Sequence, residues 1–598
     1  MKKIITLCTA TVMAVSSFAI PALPIWRSYR QADGTFLRVK TVGDEHFNYA
    51  LTEDGIPVLA HDGSYYYACI DGDRLVASTI LAHAKELRKD HEELNAAAID
   101  RVNRLEGQVR EQTMAAAPRK VTVRQGKKKG LVILVQFSDK NFTLPENVLT
   151  LGSGETDINT LYDHMLNQQG YTDMKSGAIG SVHDYFYDQS NGKLDLSFDV
   201  IGPVTLDHPY KYYGERTTRD NDAKAPQMIS DACNAIKGKV NFADYDWNGD
   251  KEVEQVYVVY AGEGEATGGD ENTVWPHKFS LVDAGLRTLN FDGITVNTYA
   301  CSNEVIRANI NGKERLFYMG IGTICHEFSH CLGLPDFYDT SNGGNLGTGA
   351  FDLMCSGSYN GGPESIKNVY GGTGIGTVPA GYTAYEKSFM EWTTPVILGE
   401  QALAVRGMKG ISEDGNVYML SNPSNANEYF LFENRSANRW DKELPGHGLL
   451  VLHVDYDANA WKYNTVNSAQ HQAHPRVTIV PADDNLTNNT QDNDLYPIDI
   501  NNSLTGSSMP SLSFYNGKAT DSQVGVRDIR LADDGTISFD YSPLSSSTGI
   551  ATAVRDQAAP FRVYTLSGVQ TDKDILQGEQ RQILIIRDAE GKSKKIVR

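Results

Sequence analysis

Ile324-Cys325-His326-Glu327-Phe328-Ser329-His330-Cys331-Leu332-Gly333-Leu334-Pro335-Asp336 is the stretch from which the rest of the chain is read. His326 and His330 are four residues apart, so on a helix both imidazoles share one face and can converge on one ion. Glu327 lies one step round, beside the water that such an ion binds. A carboxylate there can take a proton from the water and pass it to a leaving amine. Two histidines do not complete a catalytic zinc site, which has three protein ligands and a water. Gly333 suits the left-handed position that ends a helix, and Pro335 cannot continue one. The chain is therefore expected to turn back after Leu332 and carry Asp336 to the metal, at the spacing of the third ligand in the extended zincin pattern. Asp339 is an alternative oxygen ligand. Cys325, Cys331 and Cys355 make a thiolate-containing site conceivable, but helical geometry turns Cys325 and Cys331 to other faces, where a small buried residue suits packing.

About twenty residues further on comes Phe351-Asp352-Leu353-Met354-Cys355-Ser356-Gly357-Ser358-Tyr359. Met354 is expected in a tight turn beneath the metal, the second mark of the metzincin pattern. Tyr359 is a candidate donor to a substrate carbonyl as negative charge develops on it.

The chain has 598 residues, too many for one core, since cores stop growing near roughly 250–300 residues. Hydrophobic residues make up 40% and charged residues 22%, a balance that excludes global disorder. Net charge is -20, which disfavours nucleic acid and anionic lipid as partners. Residues 1–22 read as a secretory signal: Lys2 and Lys3, an apolar run, then small residues at Ser17, Ala19 and Ala22. No later segment has the length and apolarity of a transmembrane anchor. Localisation is therefore expected to be secreted or at the cell surface. Disulfides among Cys69, Cys233, Cys301, Cys325, Cys331 and Cys355 are possible in that setting.

The expected architecture is α+β and multidomain. Residues 23–129 read as a propeptide with strands up to about residue 80, helix over about 78–117, and a basic linker at Arg124-Gln125-Gly126-Lys127-Lys128-Lys129 open to proteolysis. Residues 130–395 hold every strong motif and form the catalytic unit. Residues 396–545 are strand-rich and read as a β-sandwich. Residues 550–598 form a last small β block.

Asp244, Asp246, Asn248, Asp250 and Glu252 place oxygens at alternating positions around Gly249, as calcium requires; an EF-hand is excluded because Gln255 stands where its Glu would be. The acidic run Asp483-Asp484 with Asp492 and Asp494 reads as a surface loop. Cys69 could in principle cap the metal from the propeptide, although a buried strand cysteine is the ordinary reading.

The chain resembles the immune inhibitor A family of secreted metallopeptidases. The resemblance rests on HEFSHCLGLPDFY at 326–338, on 351–359, on Ser181-Val182-His183-Asp184-Tyr185-Phe186 through Gly192-Lys193-Leu194, and on Tyr245-Asp246-Trp247-Asn248-Gly249-Asp250. It extends through Trp275-Pro276-His277, Glu428-Tyr429-Phe430-Leu431-Phe432-Glu433-Asn434-Arg435 and Gly448-Leu449-Leu450. It implies a metzincin-like catalytic domain with zinc on His326, His330 and Asp336, bound calcium, and proteolysis of other organisms' proteins. The final block resembles the sorting domain of type IX secretion cargo, which implies an export machinery as a partner. It departs from that pattern at Gln582-Ile583-Leu584-Ile585-Ile586, where Gly-x-Tyr is usual. The expected function is a zinc endopeptidase acting on protein or peptide substrates and made as a zymogen. A metalloesterase or amidase, or a non-catalytic calcium-stabilised binding protein, are the alternatives.

Overall fold

The computed structural model describes residues 18–543 apart from 24, 44–47, 72–73, 89–122, 146–147, 149–154, 156, 217–221, 341–344, 469–473, 488, 499–500 and 516–523. Beyond 543 it describes strands at 562–565, 570–571, 583–587 and 593–597.

Residues 131–135 (LVILV) are all wholly buried, the pattern of a strand covered on both faces. They lie in the strand Gly126–Gln136, part of a six-stranded mixed sheet. From one edge, Leu194–Thr205, Gly126–Gln136, Val256–Tyr260 and Thr298–Asn303 run parallel. His277–Ser280 follows antiparallel, and the two-residue strand Phe18–Ala19 pairs antiparallel on its outer side. Val132 and Leu134 join a core with the helices Ile158–Asn167, Val182–Gln189 and Gly322–Cys331. Leu131, Ile133 and Val135 face the helix Ala225–Ala235 on the other side. Each such aliphatic side chain contributes about 1.5–3 kcal/mol by leaving water, so the strand is held from both faces.

The basic stretch before residue 130 is therefore not a free linker. Lys127, Lys128 and Lys129 lie in the first half of the strand Gly126–Gln136, in register with Asp195, Leu196 and Ser197. Arg124 is anchored by hydrogen bonds from its guanidinium to the carbonyls of Leu332 and Phe389. Only Gln125 and the first two residues of the strand, Gly126 and Lys127, are exposed.

Ahead of this unit, six strands from Trp26–Arg30 to Arg74–Leu81 form an antiparallel sheet in sequential order. Residues 78–81, expected to open a helix, instead complete the last of these strands, because Leu75, Val76 and Ala77 pair with Ile70, Cys69 and Ala68 and carry the extended chain onward. Of the remainder of the expected helix, residues 82–88 hold only the 3-10 turn Lys85–Leu87, and residues 89–117 lie outside the described residues, as do residues 1–17 of the expected leader.

After residue 395, a five-stranded sheet (Val396–Ile397, Tyr418–Asn422, Asn425–Arg435, Gly448–Asp455, Val477–Ile479) and a four-stranded sheet (Leu403–Met408, Ile537–Ser542, Gly525–Leu531, Leu504–Thr505) share one core built on Phe430, Phe432, Val451 and Phe539. The opposite face of the larger sheet supplies Leu431, Leu450 and Leu452 to the catalytic core, so the two units are packed together. The last described strands form a separate four-stranded antiparallel sheet. Among the described residues, no helix is long and apolar enough to cross a membrane, and none of the six cysteines forms a disulfide.

Candidate active site

The helix Gly322–Cys331 is buried along residues 322–330. It starts against the turn that follows it in sequence: a Cβ on Gly322 would fall 1.8 Å from the carbonyl oxygen of Ser358. It ends at Leu332, and Gly333 takes the left-handed conformation (φ +97°) that turns the chain back.

That turn orients the ligands. His330 donates from Nδ1 to the carbonyl of Leu334, 2.8 Å away, and His326 donates from Nδ1 to the carbonyl of Leu353 at 2.9 Å. With Nδ1 protonated in each ring, the Nε2 lone pair is the one presented to an ion, which is how outer partners fix a ligand's tautomer. Burial, and then the nearby His326, push His330 well below the usual histidine range, so it is held neutral as a metal ligand must be.

Asp336 reaches both rings. Its Oδ1 lies 3.1 Å from His326 Nε2 and 3.5 Å from His330 Nε2. The three ligand atoms all lie within 4.8 Å of one another, and among the described residues this is the one such group of three or more His, Cys, Asp or Glu. His326 Nε2 is buried with no hydrogen-bond partner in the protein. Two imidazoles and a carboxylate at these separations fit a three-ligand zinc site. Glu327 Oε2 stands 4.0 Å from His330 Nε2, beside the ligands. Asp339 lies outside the group and accepts a hydrogen bond from Asn345 N–H.

Asn464 holds Asp336 from a distant part of the chain. Its Nδ2 donates to Asp336 Oδ2 at 2.6 Å, and its Oδ1 accepts from the Asp336 amide at 2.8 Å. This pair of hydrogen bonds from a left-handed residue (φ +54°) aims Oδ1 of Asp336 at the histidines. Nothing in the sequence marks it, because a lone Asn 128 residues away carries no spacing signal. Asn464→Ala is expected to weaken zinc binding about 10–100-fold, read by competition with a chelator; unchanged affinity would show that Asp336 needs no such support.

Leu353 and Met354 sit in the turn expected beneath the metal. Both are wholly buried; the Met354 amide donates to Asp352 Oδ1, and its carbonyl accepts from Phe337 N–H.

Residues 18–23 run through the site. The Phe18–Ala19 backbone pairs with Lys278 and His277 of the sheet's antiparallel strand. The Ile20 amide donates to Glu327 Oε1 at 3.1 Å, while its carbonyl accepts from Trp275 Nε1 at 3.0 Å. Tyr359 Oη donates to the carbonyl of Pro21 at 2.8 Å, so this phenol reaches a main-chain carbonyl close to Glu327. Burial, then the Glu327 charge, raise the Tyr359 hydroxyl far above its ordinary range and keep it a donor. Ile20 and Leu23 are buried in an apolar pocket with Trp275, Phe317, Tyr359 and Ile375.

Other expected groups lie elsewhere. In the loop after the short helix Phe242–Tyr245, Asp246 accepts from the amides of Gly249 and Lys251, Asn248 from Asp250, and Asp250 from Glu252. These carboxylates are turned to backbone amides, and Asp244 accepts from the side chain of Asn241. Cys69 lies in the strand Ser64–Asp71 opposite Val76 and is not in the metal-ligand group.

A buried His–His–Asp centre with an adjacent glutamate, on a helix backed by a mixed sheet, is the arrangement of a metallopeptidase. Residues 116–393 match the family model described as immune inhibitor A peptidase M6, catalytic domain. Among curated proteins, the chain is similar to the pre-pro-metalloprotease PrtV of Vibrio cholerae serotype O1, 25% identical over 302 residues (44% of this chain, 29% of the relative). It is also similar to immune inhibitor A of Bacillus thuringiensis subsp. alesti, 23% identical over 290 residues (45% of this chain, 40% of the relative). The chain thus spans less than half the length of these relatives. Together the matches support a metallopeptidase.

Proposed function

We propose that the chain is a secreted zinc-dependent endopeptidase, made as a zymogen, with zinc held by His326, His330 and Asp336 and with Glu327 as general base. The observation that carries this reading is the convergence of three buried ligand atoms beside a glutamate that receives the amide of an extended segment. The antiparallel strand His277–Ser280 and the turn at 351–359 support the metzincin-like reading of the catalytic unit.

Zinc, when bound, supplies a Lewis acid that polarises the scissile carbonyl and acidifies water. The protein does the rest. A substrate main chain laid antiparallel along His277–Ser280, as Phe18–Ala19 is, brings its peptide bond to Glu327. Glu327 takes the proton of the attacking water and delivers it to the leaving nitrogen. Tyr359 donates to a carbonyl oxygen in the cleft, where charge develops. This strand-like alignment favours a polypeptide over a small ester or amide. Calcium at Asp244, Asp246, Asn248, Asp250 and Glu252, and export through the C-terminal block, belong to the same reading and rest on sequence pattern.

The zymogen part is supported by residues 18–23 in the cleft. A signal cut after Ala19 leaves Ile20 in place at Glu327, whereas a cut after Ala22 removes it. Further cleavage at the exposed entry to the strand Gly126–Gln136, at Gln125 to Lys127, would release everything before the catalytic unit. Ile20→Glu, which would bury an unpaired charge in the apolar pocket, is expected to expel the segment and make the otherwise inert precursor cleave casein. A variant precursor as inert as the wild type would remove the case for occlusion by this segment. For the reading as a whole, the mature protein is expected to cleave casein, to stop on chelation, and to resume with added zinc. Ester hydrolysis without casein cleavage would replace it with the esterase alternative.

A further inference from the structure

Trp275-Pro276-His277 leads into the strand His277–Ser280, and its indole is set against the main chain of the segment in the cleft. The Trp275 amide donates to Asp222 Oδ2 at 2.9 Å, and its carbonyl accepts from His277 Nδ1 at 2.6 Å, so the backbone is fixed on both sides. From there Nε1 donates to the Ile20 carbonyl at 3.0 Å. Tyr359 Oη takes the next carbonyl, that of Pro21, at 2.8 Å. On the other side of Ile20, Ala19 and Phe18 pair antiparallel with His277 and Lys278.

A general base returns its proton to the nitrogen that leaves. The nitrogen facing Glu327 is that of Ile20, 3.1 Å from Oε1, so the bond presented at the site is Ala19–Ile20. The hydrogen bonds that hold the segment are all made to its main chain and are blind to its side chains. Selection therefore falls to the apolar cluster of Trp275, Phe317, Tyr359 and Ile375, in which the Ile20 side chain is wholly buried. A charged side chain there would lose its water without gaining a partner. Pro21 has no N–H to donate, so the position after Ile20 asks none of a substrate.

We propose, on the peptidase reading above, that the site selects a branched aliphatic residue immediately after the cut and accepts proline behind it. Trp275 positions that residue: its indole N–H holds the carbonyl, and its ring walls the pocket. The preferred substrates are extended polypeptides with such a residue on the leaving side of the bond. A signal cut after Ala19 would leave Ile20 as the leaving side of a bond already broken, which fills the site without being consumed.

The probes are the heptapeptide of residues 17–23, Ser-Phe-Ala-Ile-Pro-Ala-Leu, and the same peptide with Ala, Asp or Lys in place of its Ile. The mature protein is expected to cut the first between Ala and Ile, with kcat/KM about 10–100-fold above that of the Ala peptide and at least about 100-fold above those of the Asp and Lys peptides. Isothermal titration against Glu327→Gln, which turns over too slowly to consume the peptides, is expected to show the Ile peptide bound at least about tenfold more tightly than the Asp peptide. Trp275→Phe keeps an aromatic ring and removes the N–H. It is expected to weaken binding of the Ile peptide about 2–10-fold, with the preference over Asp kept and the melting temperature unchanged; undiminished binding would take Trp275 out of the account. Casein separates the two levels of the reading. A protein that cleaves casein but treats the Ile and Asp peptides alike, or cuts the Ile peptide at another bond, would overturn the proposal and leave the peptidase reading standing. Casein left whole would remove the peptidase reading itself, and equal binding of the two peptides would overturn the pocket assignment without reference to turnover.

Discussion

Glu327→Gln is expected to lower peptide hydrolysis by about 10²–10⁴-fold while leaving zinc content and melting temperature at wild-type levels. The substitution keeps the size and hydrogen-bonding shape of the side chain and removes only its capacity to hold a proton in transit. Glu327 is wholly buried on the ligand helix, 4.0 Å from His330 Nε2, and lies outside the ligand triad. In the proposed reading it acts on water and leaving group rather than on the ion. The two effects should separate: ligand substitutions remove zinc and activity together, whereas Glu327→Gln removes activity alone. If activity fell less than about tenfold, proton transfer would have to be assigned to another group.

Arg435→Met is expected to destabilise the folded protein by about 3–5 kcal/mol, measured by urea unfolding, and to depress activity through that loss. Arg435 is wholly buried in the strand Asn425–Arg435, beyond the residues that match the peptidase family model. Its guanidinium donates twice to Asp441 (2.7 and 2.9 Å), once to Glu433 (3.2 Å), and to the carbonyls of Phe351 (2.7 Å) and Gly381 (3.0 Å). Burial, only partly opposed by the attraction of Arg435, pushes the Glu433 carboxyl up to about 7. Met preserves much of the volume but leaves Asp441 without its bidentate partner and the Phe351 carbonyl without a donor. The larger consequence is positional, since Phe351 opens the turn that carries Leu353 and Met354. A loss below about 1 kcal/mol would mean that this network is relaxed by water.

The parts of the site written in short-range spacing were legible in the sequence. An i, i+4 histidine pair, a left-handed Gly333 and an aspartate after Pro335 are local chemistry, and the structure brings the three ligand atoms together. The buried strand at 131–135 was legible for the same reason, five consecutive apolar residues. What could not be read was contributed over long separations. Asn464 on Asp336, Arg435 on Phe351 and Ile20 on Glu327 are single residues whose partners lie far away in the chain. The basic run at 127–129 misled because charge usually marks a solvated linker, whereas here an edge-proximal strand lets Lys129 meet Asp199 on the neighbouring strand. The start of the expected helix, at 78–81, misled because pairing with a neighbouring strand outweighed local composition.

The identity of the third ligand is the step on which the account turns, and zinc counted in dialysed protein tests it most directly. Wild type is predicted to retain about one zinc per chain and Asp336→Ala less than about a tenth of that under the same dialysis, with casein cleavage lost in parallel. An Asp336→Ala protein that kept its zinc and its activity, or a wild type that cleaved casein without any metal, would contradict it.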